Sequence, residues 1–174
     1  RDAMTRSVSM LLGEEDAVII IEGDGTADSC LEPVDLGVLG VKAQLLHGGT
    51  LGIFRGATAD VLARQVRYAL KHVGKAAPGK VIIAYEPVWS IGEGGIPADP
   101  DFANDHHGKL KALTADIAGE PLPILYGGSV NPRNCVALAG RSHIDGLFIG
   151  RSAWDAAGYI GIVETVTKSL ETTP

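Results

Sequence analysis

The stretch that decides the fold is Lys80-Val-Ile-Ile-Ala-Tyr85 running straight into Glu86-Pro87-Val88-Trp89-Ser90-Ile91-Gly92-Glu93-Gly94-Gly95-Ile96-Pro97. A short unbroken apolar run rich in β-branched side chains predicts a strand buried on both faces, as a parallel strand covered by helices requires. Ligands in such architectures collect at the carboxyl ends of strands, so Glu86 stands where chemistry is expected. A carboxylate leaving a buried strand is partly desolvated, which favours its neutral form and suits a general base near neutral pH. Pro87 stiffens its mount. The same placement also suits a glutamate that merely hydrogen-bonds a neighbouring loop, and spacing leaves both readings open. Beyond it, three glycines and an apolar tip between Pro87-Val-Trp89 and Ile96-Pro97 predict a rigid flap on two hinges, able to exclude water from a ligand.

Working outward, four more runs of the same kind occur: Ala17-Val-Ile-Ile-Ile-Glu22, Leu51-Gly-Ile-Phe54, Leu122-Pro-Ile-Leu-Tyr126 and Asp145-Gly-Leu-Phe-Ile149. Longer segments with helical spacing alternate with these runs, which predicts an α/β fold of parallel βα repeats. Leu62, Val66, Ala69 and Val73 form one helical stripe behind a Thr58 cap, and Tyr159, Val163, Val166 and Leu170 form another; both are expected in the core. His106 and His107 fall in a helix between Ala98 and Ala118. Adjacent helical positions point about 100° apart, so a solvated face is expected there and a metal pair is not. Asn131-Pro132 supplies a cap followed by proline at the first helical position, predicting a helix immediately after Gly127-Gly128-Ser129-Val130.

Three further strand ends carry candidate chemistry. After the fourth and fifth runs, Gly127-Gly128-Ser129 and Gly150-Arg151-Ser152 are loops whose backbone N–H groups can close on an oxyanion, and a helix start nearby adds a positive dipole end. Together they suit a phosphate, with Arg151 adding charge, although each alone also suits an ordinary turn. After the first run, Asp24 in Glu22-Gly23-Asp24-Gly25 is either an acid or hydrogen-bonding group, or part of a plain Asp-Gly turn.

Composition narrows the class. The chain has 174 residues, a length that predicts a single domain over 1–174. Lys and Arg total 15 against 21 Asp and Glu, a net charge of −6 that offers nothing general to nucleic acid or to an anionic membrane. No run approaches the roughly 18 to 20 apolar residues of a membrane span, and charged residues interrupt the first 20 positions where a signal peptide needs an apolar stretch. A soluble, cytoplasmic protein is expected. Cys30 and Cys135 match no paired metal-ligand spacing, so bystander thiols are expected and neither a metal nor a cofactor is indicated. The 23 glycines are about twice the usual share of roughly 7 % and indicate many tight loops.

At this point the motifs resemble a known family. Ala84-Tyr-Glu-Pro-Val-Trp-Ser-Ile-Gly92, Leu125-Tyr-Gly-Gly-Ser-Val-Asn131 and Ile144-Asp-Gly-Leu-Phe-Ile-Gly150, in that order, resemble triosephosphate isomerase. More narrowly, Gly94-Gly-Ile-Pro-Ala98, Asn131-Pro-Arg-Asn-Cys135 and Gly150-Arg-Ser-Ala-Trp154 look like a bacterial branch that isomerises four-carbon erythrulose phosphates. Ordinary members usually carry Lys-Thr-Ala in the hinge and a second glycine at the position of Arg151. The resemblance is close from about residue 80 to 170 and weaker from about 38 to 73, where Gly40-Val-Lys-Ala43 echoes a family helix and Leu46-His-Gly-Gly-Thr50 the strand after it. It implies about five units of a (β/α)8 barrel, with amino-terminal units missing or degenerate; such a barrel takes at least about 200 residues and usually about 250.

The resemblance further implies an aldose–ketose isomerase that interconverts glyceraldehyde 3-phosphate and dihydroxyacetone phosphate, or a tetrulose phosphate, by enediol proton transfer. The triose reaction would be a step of glycolysis and gluconeogenesis. Glu86 then matches the proton-shuttling base. Trp89 to Ile96 matches the closing lid, including Ser90, Ile91 and Gly94, and Gly92, Ser129 and Gly150 match the phosphate donors with Arg151 as a variant neighbour. The family pairs its glutamate with a neutral histidine electrophile, a mechanism that comes with the family and not from these residues. Here Asp24 stands at the histidine position. An ionised aspartate would repel the developing enediolate, whereas a protonated one could donate to it. The family's first-strand asparagine and lysine have no counterpart. The alternative is a catalytically degenerate barrel fragment that binds phosphate or serves as an assembly module. The expected partner is a small phosphorylated sugar, with a homo-oligomer if a full barrel forms.

Overall fold

The structure is a computed structural model that describes residues 17–23, 34–35, 42–43, 58–71, 73–91 and 94–172. Its centre is strand β4, Val81–Pro87, in which Ile83, Ala84 and Tyr85 are wholly buried and only Ile82 reaches partial exposure. The unbroken apolar run thus does what burial on both faces requires. Strand β1, Ala17–Gly23, pairs parallel with β4 on one side, from Ala17 opposite Val81 to Gly23 opposite Pro87. On the other side β5, Ile124–Tyr126, pairs parallel with Tyr126 opposite Tyr85, and β6, Gly146–Leu147, follows with Leu147 opposite Tyr126. The order β1-β4-β5-β6 brings four carboxyl ends to one edge of the sheet.

Several expectations need correction. The fifth run is a strand over two residues only, and the run 51–54 lies outside the described residues. Val34–Asp35 (β2) and Lys42–Ala43 (β3) form a separate antiparallel ladder, so Lys42 and Ala43 are extended where the weaker resemblance implied a helix.

Helix α1, Thr58–Ala69, buries Leu62 and Val66, but Val73 lies beyond its end and is exposed. Leu70, four residues after Val66 and bonded to its carbonyl, fills that core position instead. Helix α2, Pro100–Ala118, starts where Asp99 accepts hydrogen bonds from the Asp101 and Phe102 amides at 2.9 and 3.1 Å, and stops at Gly119 with φ +93°. Proline at its first turn and a left-handed glycine at its end are the expected punctuation. Its buried residues Ala103, His107, Leu110 and Thr114 recur every three or four positions and face inward. His106 and His107 are both buried, not solvated: α2 is packed by the sheet on one side and by α1 on another, so adjacent positions both find cover.

Helix α3, Cys135–Ala139, begins later than the proline rule predicts and is a single short turn and a half. The reason is local. Asn131 N–H donates to Asn134 Oδ1 at 2.8 Å while Asn131 Oδ1 accepts from Arg133 N–H at 2.9 Å, so residues 131–134 close a side-chain-bonded turn ahead of the helix. Cys135 is buried, and Cys30 lies outside the described residues.

Helix α4, Ala156–Thr172, forms as predicted but turns the expected stripe outward. Tyr159, Val163 and Leu170 are about half exposed, Val166 is half-buried, and Ile162 is the wholly buried side chain. The helix is apolar on more than one face, and periodicity alone does not say which face meets a neighbour. No helix among the described residues is long and apolar enough to cross a membrane.

Candidate active site at the strand ends

Glu86 is the sixth of seven residues of β4 and is 8 % exposed. It points at the loop after β5. A Cβ on Gly127 would lie 2.5 Å from Glu86 Cγ and 2.9 Å from its Oε1, so the carboxylate arm occupies the space a side chain at 127 would need. The next residue is just as constrained: a Cβ on Gly128 would collide with Ser90 Oγ and with Tyr126 Oη. The two glycines therefore have a steric reason apart from any ligand. One makes room for the candidate base and the other for a hydroxyl pair.

That pair connects the lid to the sheet. Val88–Ser90 is one turn of 3-10 helix following Pro87, and Ser90 is wholly buried with Oγ 3.3 Å from Tyr126 Oη. Burial pushes the pKa of Tyr126 up, and the charge of nearby Glu86 pushes it the same way, so this phenol stays neutral over any working range. Ile96 N–H donates to Trp89 O at 3.2 Å, closing the base of the candidate lid. Trp89 packs edge-on against Phe102 at 5.7 Å. Ile91 is half-buried, Gly94 has φ +81°, and Ile96, at the base, is 70 % exposed.

Past Gly128 the backbone enters the left-handed region at Ser129, φ +46°, a conformation that costs a non-glycine residue energy and persists only when its surroundings hold it. The side-chain amides of Asn131 and Asn134 hold it, donating to Ser129 O at 3.0 and 3.2 Å. One strand further, Gly150 caps the 3-10 turn Arg151–Ala153 and meets open space where a Cβ would be. Arg151 is exposed on that turn. The α3 helix is too short to supply the dipole end the sequence predicted beside this loop; backbone N–H groups of the two loops are what an anion would meet.

Register thus gathers Glu86, the lid stem, Ser129, Gly150 and Arg151 at the carboxyl edge of three adjacent strands. Asp24 and Gly92 lie outside the described residues; the end of β1 that leads to Asp24 runs alongside Pro87. Beneath the site, Asp145 Oδ2 accepts from Ile124 N–H at 2.7 Å while its Oδ1 meets Lys111 Nζ at 2.6 Å, tying β5 to the start of β6 and to α2. Two residues escaped the sequence reading. Tyr126 reads in the sequence only as the end of a strand, and its signal is a tyrosine directly before two consecutive glycines. His107 is wholly buried against Tyr85 and Tyr126, with ring centroids at 5.7 and 6.0 Å, and neither of its ring nitrogens has a hydrogen-bond partner among the described residues. Burial pushes its pKa down to about 4.

Comparison with known proteins shows the family. A family model described as triosephosphate isomerase matches residues 54–166. An L-erythrulose-1-phosphate isomerase of Rhizobium etli is 46 % identical over 134 residues, covering 76 % of this chain and 50 % of the relative. Proteins of the same name in Rhizobium meliloti and Rhizobium rhizogenes are 47 % identical over 133 residues and 48 % over 116, covering 75 % and 66 % of this chain and 52 % and 44 % of theirs. The chain spans about half the length of the curated relatives it matches.

Proposed function

The chain belongs to the triosephosphate isomerase family, and from that premise we propose that it carries the base and the phosphate loops of an aldose–ketose isomerase acting on a small sugar phosphate. The observation that carries the reading is a buried carboxylate, Glu86, at the carboxyl end of the central strand, backed by Gly127 with the lid stem starting two residues on. In this reading the strands belong to a (β/α)8 barrel of which the chain supplies the carboxyl-terminal units. The shared name of the relatives supports a tetrulose phosphate over the triose phosphates, and with it a pathway other than glycolysis or gluconeogenesis.

The chemistry follows from the groups in place. Glu86 removes the proton from the hydroxyl-bearing carbon next to the substrate carbonyl, the electron pair moves onto the carbonyl oxygen, and an enediol forms. Returning a proton to the former carbonyl carbon, while the hydroxyl proton passes between the two oxygens, completes the isomerisation. Backbone N–H groups at Gly92, Ser129 and Gly150 take the phosphate, with Arg151 adding charge. The lid, Trp89 to Ile96, excludes water, so the enediol is not lost to side reactions. Asp24, at the histidine position, serves only when protonated, by donating to the enediolate oxygen.

A coupled assay on the protein that carries this chain tests the reading, with erythrulose phosphates and glyceraldehyde 3-phosphate offered separately. Turnover favouring the four-carbon substrate and abolished by Glu86→Gln is the expected result. Aspartate at the histidine position favours one other reading, a degenerate module that keeps phosphate binding without turnover. Saturable binding of inorganic phosphate to an intact protein that isomerises neither substrate would establish that instead.

A further inference from the structure

We propose that Ser90 is a positioning residue for the lid: its hydrogen bond to Tyr126 ties the first turn of the lid to the end of β5, and so sets how firmly the lid holds a bound phosphate. For its substrate this rests on the isomerase reading; its geometry does not. Ser90 is wholly buried, and burying a hydroxyl costs free energy unless a partner takes its hydrogen bond. Its partner is Tyr126 Oη at 3.3 Å, also wholly buried, and either hydroxyl can donate. The other polar group in the stem, the Trp89 indole N–H, has no acceptor among the described residues, which leaves Ser90 as the polar tether at the entry hinge. Gly128 completes the device, because any side chain there would drive the two hydroxyls apart. The tether touches no reacting atom. It acts through the lid, so its loss weakens substrate holding more than it slows proton transfer.

The test is a double-mutant cycle in the protein that carries this chain, with Ser90→Ala, Tyr126→Phe and both together, reading kcat and KM separately on the preferred sugar phosphate. Ser90→Ala is expected to raise KM about fivefold, the size of one neutral hydrogen bond, with kcat changed less than about twofold. Ser90→Thr, which keeps a hydroxyl, restores much of the loss. Tyr126→Phe removes the same bond and has an effect of similar size, and adding Ser90→Ala to it costs nothing further. If the protein turns over no sugar phosphate, the isomerase reading fails while the tether is still measured by Trp89 fluorescence in a Trp154→Phe background titrated with inorganic phosphate. Ser90→Ala must then raise the half-saturating phosphate concentration by a similar factor. Unchanged KM and unchanged phosphate titration, or additive effects of the two substitutions, overturn the proposal.

Discussion

The loops after β5 and β6 look alike in sequence, Tyr126-Gly-Gly-Ser129 and Ile149-Gly-Arg-Ser152, yet they are built on opposite principles. In the first, each glycine is pressed by a neighbour: Glu86 fills the space beside Gly127, and Ser90 with Tyr126 fills the space beside Gly128. Its left-handed serine is locked by two asparagine side chains. In the second, Gly150 faces open space and Arg151 is exposed. The lesson is that a glycine loop at a strand end can be shaped by the protein's own side chains as much as by a ligand. Here the β5 loop is a wall packed by the protein's own side chains, and the β6 loop borders open space at Gly150.

Substitutions that treat the two loops differently break or sharpen this contrast. Glu86→Gln keeps the shape against Gly127 and removes the base, so kcat should fall by about 10³, within the range general bases contribute, while inorganic phosphate still binds. Gly127→Ala keeps the base but forces its arm aside; kcat should fall by at least about tenfold, with a loss of about 1 to 3 kcal/mol in urea unfolding from the clash. A wild-type rate for Gly127→Ala would mean the loop is softer than its contacts indicate.

His107 probes the wall from beneath, since it packs on Tyr126. Its pKa stands near 4 in the folded chain against 6.5 ordinarily, because burial disfavours the charged ring. The unfolded chain therefore binds the extra proton first. Stability is at its full value above pH 6.5, declines as the pH falls from 6.5 towards 4, and levels off below, a loss of about 3 kcal/mol from this residue. Unfolding midpoints measured from pH 7 to pH 4 should decline less steeply in His107→Gln, by about one proton. Smallest of all, Gly150→Ala puts a methyl group into open space; stability should change by about 1 kcal/mol or less and kcat by less than about twofold, any effect falling on KM.

Much of this is legible in the sequence. The run Lys80 to Tyr85 is continuous and almost wholly apolar, so the central strand can be read directly, and with it the carboxyl end that Glu86 occupies. Helix α2 was legible from its length and spacing. What stayed hidden depends on neighbours distant in sequence. Periodicity identified α4 as a helix and could not tell that Ile162, rather than Tyr159 or Leu170, meets the core. Adjacent histidines suggested a solvated edge, because nothing local reports that α1 and the sheet cover both sides of α2. The two consecutive glycines pointed to a phosphate, whereas their constraint comes from residues about 40 positions earlier.

The central claim is that Glu86 moves a proton between adjacent carbons of a sugar phosphate. The most direct measurement follows isomerisation by the protein that carries this chain in D2O, with NMR detection of deuterium at the carbon that receives the proton. Deuterium incorporated at that carbon in the wild-type product, and lost with turnover in Glu86→Gln, is the predicted result. Isomerisation with undiminished deuterium incorporation in Glu86→Gln would contradict it.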